Sequence, residues 1–366
     1  MPAFIHDIVT ANPETSVDQQ TIREIMKSKL AEDRKTQAIL HRIYSQSGID
    51  KRHTVIRDFL SESNDSFFNR ALSKNNRPTT GERNELYKTE ATKLFLEVGT
   101  KLLNQNPEIE KSDITHVITV SCTGFFAPGP DFELVRGLKL APSTKRFHIG
   151  FMGCYAAFPA LKMAQSFCEA NPDATVMVIC AELCTIHFQY KSDPDNMIAS
   201  SVFADGASGM LISSKHPLKT AFRIDQFASS LAYEGERDMA WTIGDTGFNM
   251  VLSSYVPNII AANLSDVITP LLEKLSIKLK DIDLWAIHPG GRAIVDKVEQ
   301  SMALNKAQVC SSRKILSNFG NMSSATILYV LKDIFGSKPK KGSRILPMAF
   351  GPGLTIESGL LTVVNS

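Results

Sequence analysis

Three residues of this chain carry side chains suited to acyl chemistry, and each stands where a turn of the chain would expose it. Cys154 follows Gly153 and precedes the mostly apolar run 158–164, so it falls at or near a helix start. Free backbone N–H groups and the helix dipole at such a place favour a thiolate, the nucleophilic form. The same turn can offer an N–H to an oxyanion. His288 closes the apolar run Leu284–Ile287 and is followed by Pro289-Gly290-Gly291. A histidine at the carboxyl end of a strand, beside flexible backbone, can reach a ligand. Asn321 stands in Asn318-Phe319-Gly320-Asn321-Met322-Ser323-Ser324. An amide donor beside a histidine donor would stabilise an enolate formed from a thioester. Each has a plainer reading when taken singly: a buried structural cysteine, a histidine packed under a loop, an asparagine capping a helix.

An internal repeat relates their positions. Phe151-Met152-Gly153-Cys154-Tyr155-Ala156-Ala157 and Phe319-Gly320-Asn321-Met322-Ser323-Ser324-Ala325 each precede an apolar run, 168 residues apart. The same spacing relates Asp113-Ile114 to Asp281-Ile282, and residues 175–180 to 343–348. That period is far too long for a solenoid and reads as two fused, pseudo-equivalent halves. They are placed at residues 1–215, with the cysteine, and 216–366, with the histidine and the asparagine. Two helix starts facing one another would bring the three side chains together.

The elements that must hold them follow from periodicity. A helical pattern is read over 13–47, and an amphipathic helix over 84–104 with Tyr87, Ala91, Leu94, Val98 and Leu102 on one face. Asn75-Asn76-Arg77-Pro78 and Pro128-Gly129-Pro130 mark turns, and 187–198 reads as a polar loop. Buried strands are expected at 115–122, 176–181, 201–213, 222–232, 284–287, 345–350 and 354–363. Helices are expected at 247–262, 265–275, 291–299 and 323–335. Apolar strands alternating with helices imply an α/β protein with mainly parallel sheets covered by helices.

Composition narrows the class. The chain has 366 residues, 43% hydrophobic and 21% charged, as in globular proteins. A net charge of +2 gives no strong field for nucleic acid or a membrane surface. The apolar runs are too short to span a bilayer, and the first residues lack the pattern of a signal peptide. The six cysteines, at 122, 154, 168, 180, 184 and 310, form no CxxC pair. Reduced thiols in a cytoplasm are therefore expected, and no metal site.

Four motifs in order make the set specific. Gly153-Cys154, Trp285-Ala286-Ile287-His288-Pro289-Gly290-Gly291, Gly320-Asn321-Met322-Ser323-Ser324 and Phe350-Gly351-Pro352-Gly353-Leu354-Thr355 resemble the signatures of type III polyketide synthases. That is the chalcone and stilbene synthase family, including its bacterial branch. The resemblance covers roughly residue 50 to the end. It implies the thiolase fold, two similar halves in a five-layered α-β-α-β-α arrangement, working as a homodimer. It implies that Cys154 takes a starter acyl group from CoA. By the same resemblance His288 maintains the thiolate and binds the malonyl thioester carbonyl, and Asn321 is the second donor to that carbonyl. Phe203 resembles the first of two gating phenylalanines; Phe248 or Met250 stands at the second gate. Ser323, Gly351, Pro352 and Gly353 fall in motifs that border the pocket. Lys51-Arg52 resembles a basic segment that meets CoA phosphates, and Gly290, Gly291 and Ala293 border the same site. The substrates implied are an acyl-CoA starter and malonyl-CoA, with no cofactor beyond these thioesters.

The departures point to the product. Ala349 replaces the first glycine of the family's Gly-Phe-Gly-Pro-Gly loop. Cys184 and His187 stand where plant chalcone synthases carry small or hydroxylated cavity residues, and Met239 or Trp241 adds bulk. A malonyl-CoA or aliphatic acyl-CoA starter is expected, closing to a pyrone or a small resorcinol- or phloroglucinol-type ring. The alternatives are a ketoacyl-carrier-protein synthase III-like condensing enzyme, an inactive acyl-CoA-binding paralogue and a cysteine hydrolase.

Overall fold

The computed structural model describes residues 2–30, 33–60, 67–68 and 77–365. The first half runs β1 (Ala3–Ala11), β2 (Ser16–Asp18), α1 (Gln19–Leu30), α2 (Arg34–Ser45), β3 (Lys51–His53), α3 (Thr80–Gln105), β4 (His116–Ser121), α4 (Pro130–Leu138), β5 (Lys145–Gly150), α5 (Ala157–Ala170), β6 (Thr175–Leu183), α6 (Pro194–Val202) and β7 (Asp205–Ser213). The second runs β8 (Ala221–Leu231), β9 (Met239–Gly244), β10 (Gly247–Leu252), α7 (Val256–Lys274), β11 (Leu284–Ile287), α8 (Arg292–Ser301), α9 (Cys310–Phe319), α10 (Thr326–Gly336), β12 (Arg344–Gly351) and β13 (Thr355–Val364).

Nine strands join in one sheet in the order β11-β12-β13-β8-β1-β7-β6-β4-β5. β4 lies parallel to β5 and β6, and β11 parallel to β12. The inner strands pair antiparallel, and β1 joins β8 through Ala3–Ile224 to Ile5–Phe222. Side chains of β6 alternate between two cores. Val176, Val178 and Cys180 pack with α5 and α10. Met177, Ile179 and Ala181 pack with α3, whose buried face includes Tyr87, Ala91, Leu94, Val98 and Leu102. β12 does the same in the second half: Ile345 and Ala349 turn to α5 and α10, and Leu346, Met348 and Phe350 to α7 and α8. α10 is apolar nearly all round, with Ile327 to Leu331 all buried, as a helix in a middle layer must be. The result is five layers, α-β-α-β-α, with α5 and α10 at the centre.

The duplication is visible in the elements. β4 and β11 open at His116 and Leu284, α5 and α10 at Ala157 and Thr326, β6 and β12 at Thr175 and Arg344, so the spacing of 168 holds to within a residue. Among the described residues, no helix is long and apolar enough to cross a membrane.

Several expected elements differ. The helix read over 247–262 is two things: residues 247–252 form β10, and the helix starts only at Val256, with a proline in its first turn. β9 and β10 make a hairpin closed by Asp245-Thr246, where Gly247 takes φ +109°. The apolar run Phe248–Leu252 carries no period that separates strand from helix. The pattern over 13–47 contains the short strand β2 before two helices, with residues 31–32 outside the described residues. Asn75 and Asn76, part of an expected turn, also lie outside them. The polar loop at 187–198 holds the start of α6, whose cap is Asp193 Oδ1 accepting from Asn196 N. The strand read from 201 starts at Asp205. α4 follows Pro128-Gly129-Pro130, whose last proline sits in its first turn.

Candidate active site

Cys154 sits in a tight turn between β5 and α5. Phe151 and Gly153 both take left-handed backbone, φ 56° and 85°. A side chain on Gly153 would fall 2.2 Å from Pro352 Cδ. One on Gly351 would fall 2.4 Å from the Tyr155 ring and 3.4 Å from Cys154 N. The loop Gly351-Pro352-Gly353 of the second half therefore packs directly on the cysteine turn of the first, and glycine permits the approach.

Asn321 is placed by backbone from the other half. Its N–H donates to Val202 O at 2.8 Å, and its carbonyl accepts from Ala204 N at 2.8 Å. Gly320, at φ +71°, has no room for a side chain against Val202 O and the Arg52 stem. The amide orientation follows from its partners. Oδ1 accepts from Ser323 N at 2.9 Å, so the side chain does cap the turn after it. Nδ2 donates to Gly290 O at 3.2 Å and lies 3.8 Å from Cys154 Sγ.

His288 ends β11, with its N–H on Met348 O at 2.8 Å. The ring is buried, and neither nitrogen has a hydrogen-bond partner among the described residues. Burial pushes its pKa down to about 3, so the ring is neutral. Burial pushes the Cys154 thiol up to about 11, against the opposing pull of Ser323 and Asn321. Burial thus opposes the thiolate expected from a helix start, and α5 itself begins only at Ala157, three residues after Cys154. Either charge taken singly is disfavoured by burial.

These three side chains line one chamber, together with Cys122, Cys184, Phe203, Met250, Gly290, Ser323 and Pro352. Met239, Trp241, Leu252, Ile294 and Phe350 make its wall apolar. A second chamber adjoins it, sharing Cys184, Phe203, Trp241 and Met250. The Trp241 indole N–H donates to Cys122 O at 2.9 Å, which holds the ring between the two. His187 and Phe248 line only the second chamber, stacked at 3.9 Å. His187 is fixed as a neutral wall residue: Nε2 meets Thr123 O at 2.7 Å and Nδ1 accepts from Phe248 N at 3.1 Å. Of the two residues read at the second gate, Met250 faces the chamber of Cys154.

The other expected site residues are outside this lining. Gly351 packs against Tyr155, and Gly353 has nothing within 4 Å of where a side chain would begin. Gly291 precedes α8, and Ala293 is exposed in its first turn. Lys51 is exposed, but Arg52 turns inward: Nη1 donates to Ser200 O at 2.8 Å and Phe203 O at 2.6 Å. Its guanidinium seals the end of α6 rather than meeting a phosphate in solvent. Among the described residues, no group of three or more His, Cys, Asp or Glu could hold a metal ion.

Glu182 was missed. It lies wholly buried in β6 and gathers Cys122 N at 2.9 Å and Thr123 Oγ1 at 2.9 Å from one half, and Ser324 Oγ at 2.5 Å from the other. Burial raises its pKa, against these hydrogen bonds. A lone carboxylate in an otherwise buried strand was the available signal.

Residues 1–216 match the family model of chalcone and stilbene synthases, N-terminal domain, and residues 225–365 that of the C-terminal domain. Among solved structures the chain is similar to PKS-I from the brown alga Ectocarpus siliculosus, at 27% identity over 99% of this chain and 98% of that one, with a TM-score of 0.92. It is similar also to the C-terminal type III polyketide synthase domain of Steely1, a type I/III hybrid from Dictyostelium, at 27% identity over 99% of each chain, with a TM-score of 0.91.

Glu182→Ala leaves an N–H and hydroxyls without their acceptor, at about 1–3 kcal/mol for each buried group stranded. Thermal denaturation should show a clear fall in melting temperature for this variant and a smaller one for Glu182→Gln. An alanine variant as stable as the parent would contradict the clamp role.

Proposed function

Since the chain belongs to the chalcone and stilbene synthase family and has the type III polyketide synthase fold, we propose that it loads an acyl group from CoA onto Cys154 and extends it with malonyl-CoA. The observation that carries this reading is the convergence of Cys154, His288 and Asn321 on one apolar chamber, with both His288 nitrogens unpartnered among the described residues. His288 takes the Cys154 proton as the sulfur attacks the thioester carbonyl, and CoA leaves as its thiol. A malonyl thioester then places its carbonyl oxygen between the His288 ring and the Asn321 Nδ2 hydrogen that faces Cys154. Those donors stabilise the enolate left when CO₂ departs, so no general base is needed. The enolate carbon bonds to the acyl carbon and the Cys154 sulfur leaves. Loss of CO₂ makes the step effectively irreversible, and repetition followed by ring closure ends the sequence. No metal or redox cofactor enters this chemistry.

The apolar wall of Met239, Trp241, Met250, Leu252 and Ile294 supports a malonyl-derived or aliphatic starter and a pyrone or small phenolic ring. Lys51 is the solvent-facing member of the basic pair and the candidate contact for CoA phosphate. β5 leaves one sheet edge unpaired, which supports a homodimer. The setting proposed is the cytoplasm, where CoA thioesters are available.

The direct test is mass analysis of products from the purified protein given labelled malonyl-CoA and coumaroyl-, hexanoyl- or long-chain acyl-CoA. An aliphatic or malonyl-primed pyrone or phenol is expected; dominance of a coumaroyl-derived chalcone would overturn the starter reading, and no CO₂ release with any starter would overturn the activity.

Two substitutions separate the donors. Asn321→Ala should keep starter loading and lose malonyl decarboxylation by about a hundredfold or more. Normal decarboxylation would leave Asn321 as a cap alone. His288→Gln removes the proton acceptor, so Cys154 should lose the partner that lets it react below the range to which burial pushes its thiol. Iodoacetamide labelling of the variant should then rise by about tenfold per pH unit through the alkaline range, where the parent levels off earlier. Identical profiles would remove His288 from that role.

Trp241→Ala should join the two chambers and shift preference toward longer acyl-CoA starters in a competition assay. An unchanged product spectrum would show that Trp241 does not divide the usable space.

A further inference from the structure

Three of the six cysteines, Cys122, Cys154 and Cys184, line the same chamber. The others lie elsewhere: Cys168 and Cys180 in the central core, and Cys310 exposed at the start of α9. All six are free thiols in this structure. Cys154 is the most exposed thiol of the chamber, whereas Cys122 and Cys184 are buried. Cys122 sits against the turn that carries the nucleophile. Its Sγ accepts the Gly153 N–H at 2.9 Å and lies 3.8 Å from Gly153 O, on the carbonyl carbon bonded to the Cys154 nitrogen.

We propose that Cys122 is a resolving thiol for Cys154, and that a peroxide converts the pair to a reversible disulfide. The Cys154 thiolate attacks one oxygen of hydrogen peroxide and the O–O bond breaks. Cys154 becomes a sulfenic acid, and the departing hydroxide takes up the proton that Cys154 lost. The Cys122 sulfur then attacks the sulfenic sulfur; the S–O bond breaks, the S–S bond forms, and the hydroxide leaves as water with the Cys122 proton. Two thiols lose two electrons, the peroxide gains them, and two waters result. A dithiol reverses the link by exchange.

The order of events follows from the surroundings. Burial raises all three thiols, Cys122 and Cys184 well above the usual range, while at Cys154 hydrogen bonds from Ser323 and Asn321 oppose the rise. Cys154 therefore reacts first and a neighbour resolves it. Without a resolving thiol the sulfenic acid would proceed to sulfinic and sulfonic acids, which a dithiol does not reverse. Capture by Cys122 stops the nucleophile at a recoverable stage, so the site would be shut rather than destroyed under oxidative stress.

The test reads thiols rather than turnover, so it stands apart from the polyketide reading. The full-length protein is treated with hydrogen peroxide, remaining thiols are alkylated, and peptides are analysed by mass. A peptide pair joined through Cys122 and Cys154, lighter by two hydrogens than the separate thiols, is expected. Dithiothreitol should restore alkylation of Cys154. In Cys122→Ser the pair cannot form, and Cys154 sulfinic acid should accumulate with loss of that recovery; Cys184→Ser should behave as the parent does. A link from Cys154 to Cys184, no link at all in the parent, or full recovery in a folded Cys122→Ser would overturn the proposal.

Discussion

Two backbone hydrogen bonds hold the site together: Asn321 N to Val202 O and Ala204 N to Asn321 O, each 2.8 Å. They bridge the two halves of the chain at the point where the chemistry is gathered. By them the Asn321 amide is set 3.8 Å from Cys154 Sγ and the Phe203 ring is set at the chamber wall. Other contacts make the bridge rigid. Arg52 ties off the end of α6, Gly320 allows the backbone to pass close to Val202, and Glu182 joins Ser324 to Thr123 and Cys122 N. Pro352 resting on Gly153 is a further contact between halves. The site belongs to neither half alone, because each supplies the support for the other's functional residue.

Dryness is the second physical theme. The chamber is apolar, and burial drives both Cys154 and His288 toward their neutral forms. A helix start favours a thiolate, and desolvation opposes it here. A neutral donor suits an enolate that forms without proton abstraction. Among the described residues the buried His288 nitrogens have no partner, whereas a buried polar ring normally finds one.

Much of this was legible in the sequence, and the exceptions have physical causes. The 168-residue repeat exposed the duplicated halves, since equivalent strands carry equivalent apolar runs. Cys154, His288 and Asn321 were legible because strand ends and helix starts leave local signals. The β9–β10 hairpin was not, because Phe248–Leu252 is apolar without a distinguishing period; only the proline at 257 marks where the helix begins. The inward turn of Arg52 depends on carbonyls about 150 residues away, at 200 and 203, and no local pattern encodes that. Glu182 is a similar case: its partners come from two segments, 121–123 and Ser324, and its role exists only once they meet. Trp241 was read as bulk, but its place between two chambers depends on Cys122 O, which only the fold supplies.

The central claim is that Cys154 carries the acyl group between substrates, and peptide mass analysis of the acylated protein tests it most directly. After exposure to an acyl-CoA without malonyl-CoA, the peptide containing Cys154 should gain the acyl mass. Addition of malonyl-CoA should then discharge it. An acyl group found on another cysteine, or malonyl-CoA consumed while Cys154 remains unmodified throughout, would contradict the account.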